Sequence, residues 1–437
     1  SLFGMVMRVV GDLVVGYLIF GVLFEITGGG KFFLDLSFCL LGRVRGGAAK
    51  TAVLASSFFG SLSGSPTSNV ISTGIVTIPA MKKTGFPAHF AAAVEAVAST
   101  GGSIMPPVMG SAGFLCAQFL GIPYYQVALA ALIPSLLYYF GVFIQVDMYA
   151  GRNVKKGLAK ENIPKLINVL KGGWYYFFAM IVMIYFIFMR QEAKAPFYAV
   201  ALLLIFSMIN KETRLNFKAL QNSVIATGKL VSTVCATLLG VGFVVGSLSI
   251  TGVAHSFSYE VVRISGNNLV LLLITGAMAS FVLGMGMVAS AAYLFLALTL
   301  SPALIRIGVT PLSAHMFVLY WGIISNITPP VALASMTAAK LADASDTKVG
   351  LTAMKLAMSI YIIPFAFVFN PALIGHGSII EVAVSVLFAV LGLILMSTGL
   401  QGYFNKTGNL NIFWRCVLVF AGSLLFFNKF KSLVIGI

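Results

Sequence analysis

The chain has 437 residues, 59% of them hydrophobic and only 9% charged, with a mean hydropathy of +0.99. Soluble domains carry about a quarter charged residues, so a water-soluble globule is excluded and an all-α polytopic membrane protein is expected. The net charge of +16 fits membrane topology rather than nucleic-acid binding, because Lys and Arg fall in short groups between apolar stretches.

The chain opens at Ser1 inside an apolar segment, with no signal-peptide n-region, so further residues are expected upstream. Residues 2–26 read as a crossing. Next come two basic groups, Arg43, Arg45 and Lys50, then Lys82 and Lys83. One straight helix over the roughly 30 residues between them would be about 48 Å long, too long for a ~30 Å core; two full crossings would be about 22 Å each, too short. The run "FFGSLSGSPTSN" (Phe58–Asn69) in the middle breaks any helix, and the consistent solution is a re-entrant hairpin over 46–81 with its tip near mid-membrane. Residues 86–120 then cross once, interrupted at "STGGSIMPP" (Ser99–Pro107) by glycine and proline.

Residues 124–150 cross again. The segment 151–172, with Arg152, Lys155, Lys156, Lys160, Lys165 and Lys171, is polar enough to lie along the cytoplasmic surface as an amphipathic connector. A pair at 174–189 and 195–210 follows, then Lys211, Arg214 and Lys218. The second half repeats the order: a span within 222–253, a hairpin over 268–302 broken at "LGMGMVAS" (Leu283–Ser290), a helix over 313–341 interrupted at Ser325–Pro330, and a span at 350–370. Lys340, Lys348 and Lys355 form the last basic group. Two spans at 378–400 and 411–430 close the chain, their orientation left open because Lys429 and Lys431 fit the charge rule poorly.

Placing the basic groups on the cytoplasmic side leaves Arg190, Lys194, Arg263 and Arg306 outside, as the positive-inside tendency favours. The two halves then enter the membrane from opposite sides. The expected organisation is an inverted repeat at 1–150, a connector and scaffold pair at 151–220, a second inverted repeat at 221–375, and extra helices at 376–437. Interrupted segments at matched places of two inverted halves point to a secondary-transporter site.

Unwound backbone at membrane depth is tolerated where it is buried in protein or lines a polar cavity. Carbonyl, hydroxyl and amide oxygens suit a hard monovalent cation, and half-helix N-termini suit a carboxylate. The first candidate sodium site is Ser61, Ser63, Gly64, Ser65 and Asn69 with Ser99, Thr100, Gly101, Gly102 and Ser103. The second is Gly284, Met285, Gly286 and Ser290 with Ser325, Asn326 and Thr328. Kinks or close-packing points explain a single such break better than a site does; four in matched positions favour a site. Glu95, an intramembrane carboxyl one turn before the first break, is a substrate-cavity candidate with Pro106, Pro107, Pro329 and Pro330. A structural pairing with His89 or a backbone N–H is the competing role for Glu95. Asp12, Glu25 and Asp147 read as interfacial, and His255 and His315 fall near outer ends. Cys39, Cys116, Cys235 and Cys416 have no metal-ligand spacing. No Gly-x-Ser-x-Gly elbow, HExxH or paired intramembrane Asp is present, so an enzyme is not expected.

The stretches "GSLSGSPTSNVISTG", "VEAVASTGGSIMPPVMG", "GMGMVASAAY" and "ITPPVALAS" resemble the large membrane subunit of TRAP (tripartite ATP-independent periplasmic) transporters, most nearly the branch that uses TAXI-type binding proteins. The resemblance covers roughly residues 1–375. It implies an elevator-type importer of an organic anion, driven by Na⁺ and fed by a periplasmic TAXI-type binding protein. It also implies a small membrane subunit, in this branch often fused upstream, and a bacterial or archaeal inner (cytoplasmic) membrane location. The hairpins and broken helices would form the moving part and carry the sodium sites, with the 174–210 pair in the static scaffold. Relatives usually read Gly-Met-Gly-Leu-Pro-Thr-Thr at the second tip, where this chain has Gly284, Met285, Gly286, Met287, Val288, Ala289 and Ser290. The second ion site is therefore expected to rely on backbone carbonyls or to be weaker. A binding-protein-independent exchanger of related inverted-repeat fold is the alternative.

Overall fold

The computed structural model describes residues 4–209, 213–266, 268–405 and 407–427; Ser1, Lys211, Lys429 and Lys431 lie outside them, as does the side chain of His255. The architecture is helical throughout apart from one two-stranded hairpin, Tyr403–Phe404 with Gly408–Asn409. Among the described residues six helices are long and apolar enough to cross a membrane, or seven if the bent pair Asp346–Leu356 and Met358–Phe369 is one span. The remaining apolar helices are shorter because the sequence interrupts them.

The chain enters through α1 (Met5–Val9), a π-helical turn at Val10–Val14, and α2 (Val15–Ile26). The helix α3 (Gly29–Leu41) follows Gly28 and packs on what comes next; the sequence reading had no element there. The first hairpin is α4 (Gly47–Ser63) and α5 (Pro66–Lys83), turning at Gly64 and Ser65. Its arms are about 26 Å long at 1.5 Å per residue, longer than half of a ~30 Å core. Next come α6 (Ala88–Gly101) and α7 (Gly110–Leu120), separated by non-helical backbone, then the 29-residue α8 (Tyr124–Arg152).

The segment after α8 corrects the expected connector. Residues 153–165 are mainly non-helical, with one 3₁₀ turn at Lys160–Asn162, and α9 (Leu166–Phe188) already includes Lys171. The expected surface segment over 151–172 therefore divides into the end of α8, an irregular link and the first turns of α9. Pro164 and the preference of residue 163 for extended backbone keep the link from continuing as helix. α9 pairs with α10 (Ala195–Ile209).

α11 (Phe217–Ile250) is 34 residues long and largely exposed. After α12 (Val253–Ile264), α13 (Leu269–Gly284) and α14 (Ala289–Thr299) flank the second tip. α15 (Ser301–Arg306) leads to α16 (Pro311–Ile324) and α17 (Leu333–Ala342), which flank the second break. α18 (Asp346–Leu356) and α19 (Met358–Phe369) bend by 41° at Ala357, an interruption absent from the sequence reading. α20 (Ile379–Gln401) and α21 (Ile412–Leu425) complete the chain.

The packing centre is α6. Phe90 to Ile104 are buried on every side, as expected of a helix that is apolar all round. Its Ala-rich face lets α4, α5, α8, α17 and α18 approach closely. The basic loops gather at one end of the molecule: Gly46 N–H donates to Lys155 O, Leu158 N–H to Gly42 O, Lys82 Nζ to Ala342 O and Arg152 to Gln401 O, at 3.2, 2.8, 3.1 and 2.9 Å. The strand hairpin between α20 and α21 belongs to that end as well, through Arg45 to Asn405 at 2.7 Å.

Candidate functional site

The first tip and the first break meet through glycine. A Cβ added to Gly60 would lie 2.7 Å from Gly102 Cα, and one on Gly110 would lie 2.6 Å from Gly64 O. Only hydrogen side chains permit that backbone approach. Gly64 also turns the hairpin with φ +60°, in the left-handed region glycine tolerates. Ser103 Oγ donates to Gly64 O at 3.1 Å and Val108 N–H to Ser61 O at 3.0 Å, stitching break to tip. Ser65 caps α5, accepting from Ser68 N–H, while Asn69 Nδ2 ties α5 to α4 by donating to Ser56 O at 2.8 Å.

The free carbonyls differ from the expectation that Ser99–Ser103 would supply them. The carbonyls of Ser99, Thr100, Gly101 and Gly102 accept N–H bonds from three residues ahead, at 3.1–3.3 Å. The oxygens with no donor among the described residues are those of Ser103, Ile104, Met105 and Pro106. The prolines deny donors to the turn just after the glycines. The hydroxyls divide too: Thr100 and Ser61 bond back to Ala96 O and Phe58 O, whereas Ser63 Oγ is buried with no partner among the described residues. A buried orphan hydroxyl is costly, and this one ends α4 next to Gly64, whose carbonyl accepts from Ser103 of the break.

Two tyrosines of α8 hold the turn before the break, Tyr138 donating to Val97 O at 2.7 Å and Tyr139 to Ala98 O at 2.8 Å. A Cβ on Gly101 would lie 2.7 Å from the Tyr139 ring. Neither tyrosine was singled out from sequence, where no spacing signal marks them.

The second tip and second break also meet: a Cβ on Gly284 would be 3.2 Å from Ser325 Cβ, and one on Gly286 3.5 Å from Val331. The hydroxyls of the break are occupied. Ser325 bonds Gly322 O at 2.7 Å, and Thr328 lies between Ile324 O and the Tyr361 hydroxyl at 2.9 and 2.7 Å. Asn326 Nδ2 donates to Ile323 O, and its carbonyl accepts from Ala334 N–H at 3.0 Å. Ser290 is buried, but Gly286 and Pro330 are exposed and Met285 and Pro329 half-buried. With Gly286 and Pro330 exposed and the break hydroxyls engaged, this cluster is the more open of the two.

Glu95 is wholly buried. Its carboxyl accepts from Ser56 Oγ at 2.7 Å, Thr73 Oγ1 at 2.5 Å, Ser99 Oγ at 3.2 Å and the Thr77 hydroxyl. It lines neither of the two described cavities, one of about 460 Å³ between α4, α8 and α20 and one of about 280 Å³ beside His89 and Lys355. Pro107 is buried and Pro106 half-buried at the adjoining turn. Asp147, expected at an interface, pairs with Lys50 at 2.6 Å and with Arg45. His315 is buried against the Tyr293 hydroxyl at 2.8 Å.

The family model described as "Tripartite ATP-independent periplasmic transporter, DctM component" matches residues 3–382. The C4-dicarboxylate TRAP transporter large permease protein DctM of Pseudomonas aeruginosa is 25% identical over 332 residues, 74% of this chain and 75% of that protein. The isethionate TRAP transporter permease protein DctMQ of Oleidesulfovibrio alaskensis is 24% identical over 351 residues, 78% of this chain and 54% of that protein. Among solved structures, the YdaH transporter of Alcanivorax borkumensis aligns with a TM-score of 0.54 at 14% identity, covering 83% of this chain and 86% of that one; that likeness concerns the fold alone.

Proposed function

The chain belongs to the DctM-component family of TRAP transporters, and we propose on that premise that it is a sodium-coupled importer of an organic carboxylate. The large-permease assignment and the multi-pass membrane location follow from the family match and the apolar helices. The coupling ion, the elevator motion, the two inverted repeats and the TAXI-type branch are our reading. The binding protein supplies substrate from the periplasmic face, and the small membrane subunit is a separate chain or is fused to the large one.

One observation carries the sodium assignment: the orphaned Ser63 hydroxyl and the donor-free carbonyls of Ser103–Pro106, at a tip locked to its break by paired glycines. Ser63 and those carbonyls would hold the ion, which supplies positive charge beside a carboxylate. The half-helix starting at Gly110 presents its unpaired N–H groups to the same region. The second cluster would bind its ion mainly through backbone oxygens of Met285–Met287, since Val288 O already accepts from Ala291 and Ala292 N–H.

Uptake of C4-dicarboxylates and other organic acids into proteoliposomes, with the cognate binding protein outside, tests this reading. A sodium gradient is expected to drive accumulation. Uptake indifferent to collapse of that gradient refutes the coupling, and uptake without any soluble partner favours the binding-protein-independent exchanger.

A further inference from the structure

The cavity of about 280 Å³ at the basic end of the molecule belongs to neither tip. It opens between α6, α8, α18 and α20, and its lining includes the rings of Phe90 and Tyr149 with His89, Thr352, Lys355 and Gln401. His89 is at the opposite end of α6 from Ser99, about 15 Å away at 1.5 Å per residue. No proposed sodium ligand takes part.

The polar groups of this cavity are rich in donors. The Lys355 ammonium, the Tyr149 hydroxyl and the His89 ring nitrogens have no hydrogen-bond or ion-pair partner among the described residues. The wall that carries them is fixed in place. Gln401 Nε2 donates to Gln145 Oε1 at 3.0 Å, Gln145 Nε2 donates to Leu356 O at 2.8 Å, and the Phe90 and Tyr149 rings stack with centroids 3.6 Å apart.

Two guanidinium groups bind the backbone of the same wall. Arg152 of α8 donates through one nitrogen to Gln401 O at 2.9 Å, and Arg415 of α21 through two to Gly399 O and Leu400 O at 3.0 and 3.1 Å. Each keeps further N–H groups, since a guanidinium has five. Cations at the last carbonyls of α20 suit its dipole, but that role leaves Lys355 unaccounted for. The charged groups within electrostatic reach of Lys355 are Arg415 and Arg152, both of its own sign. Asp147 of α8 is committed to Lys50 and Arg45, and Asp346 is about 13 Å from Lys355 along α18. Three like charges around one cavity repel one another, and an anion between them removes the repulsion.

The membrane supplies such an anion. Basic pockets between transmembrane helices on the cytoplasmic side suit phospholipid head groups. Exposed apolar side chains adjoin this one: Leu351 of α18, and Phe413 and Trp414 next to Arg415 on α21. Tryptophan favours the membrane–water boundary. A phosphate spreads its charge over several acceptor oxygens, which matches a lysine, a tyrosine hydroxyl, an imidazole and spare guanidinium N–H groups. We propose that this cavity binds the phosphate of an anionic phospholipid, so that one head group ties α6 and α8 to α18 and α20.

Thermal unfolding of the purified chain in nanodiscs tests this, with no substrate, sodium gradient or partner involved. Replacing part of the phosphatidylcholine by phosphatidylglycerol is expected to raise the melting temperature, because a ligand of the folded form stabilises it. Each protein is compared with itself in pure phosphatidylcholine. The rise is expected to vanish in the double variant Arg152→Gln, Lys355→Gln. It is expected to persist in Lys156→Gln, Lys160→Gln, which removes the same charge from the neighbouring link. Where the first double variant does not fold, Thr352→Glu, which puts a carboxylate in the same cavity, is expected to lose the rise, and a rise retained there overturns the site. Inorganic phosphate added to phosphatidylcholine discs separates the sources. A Lys355-dependent rise there, with none from phosphatidylglycerol, keeps the phosphate site and overturns the lipid as its occupant. No rise in the wild-type chain with either probe overturns the site. An equal phosphatidylglycerol rise in the wild type and both double variants overturns it too, since surface charge alone then accounts for the effect.

Discussion

At the residue scale the first site makes opposed demands on neighbouring positions. Ser63→Ala removes a hydroxyl with no partner among the described residues, so melting temperature is expected to hold or rise slightly, while the sodium concentration for half-maximal uptake increases; unchanged sodium dependence counts against a ligand role. Gly102→Ala acts through packing, because its Cβ would lie 2.7 Å from Gly60 C. Backbone cannot give way cheaply, and a loss of about 1–3 kcal/mol is expected in thermal or denaturant unfolding, together with loss of transport. The glycines, serines and prolines of this site were legible because each is improbable inside a lipid-facing helix. The hydroxyl cage around Glu95 was not. Ser56, Thr73 and Thr77 read as ordinary small polar residues of two helices, and only folding α4 against α5 and α6 turns three hydroxyls toward one carboxyl.

At the element scale the helices and their breaks could be read from charge spacing and from glycine and proline, while their tertiary supports could not. Tyr138 and Tyr139 on α8 hold the last carbonyls before the break, at positions a span of this hydrophobicity could fill with any large residue. Each Tyr→Phe change is expected to cost about 0.5–1.5 kcal/mol, read as a lower melting temperature, and the double change more than either. α3 has no counterpart in the sequence reading; the left-handed Gly28 starts this helix directly after α2. The bend between α18 and α19 has no glycine or proline at Ala357 to announce it. The pairing of α4 with α8 through Asp147 was equally hidden. Asp147→Asn leaves Lys50, 7% exposed, and Arg45, 33% exposed, without their anion. About 1–3 kcal/mol of destabilisation is expected, moderated by the exposure of Arg45.

At the scale of the whole molecule the basic groups bear on topology and the breaks on the proposed function. The loops at 42–46, 83–87, 153–158, 342–345 and 401–405 converge at one end through the bonds described above, which accords with the charge grouping that placed most of them on one side. On a cysteine-free background, Lys156→Cys is expected to react with an impermeant thiol reagent only in inverted vesicles, and Gln191→Cys only in right-side-out ones. Labelling of both from one face would contradict the topology. Substrate identity was never legible, since neither tip carries an anion-specific side chain such as a paired arginine.

The central claim is that the tip of α4–α5 and the break of α6–α7 together form a sodium site. Binding of radioactive sodium to the purified chain tests it without substrate or partner. Saturable binding is predicted, weakened by Ser63→Ala and abolished by Gly101→Leu, whose side chain would meet the Tyr139 ring 2.7 Å from its Cβ. Absence of saturable binding in the wild-type chain, or binding unaltered in both variants, would contradict the account.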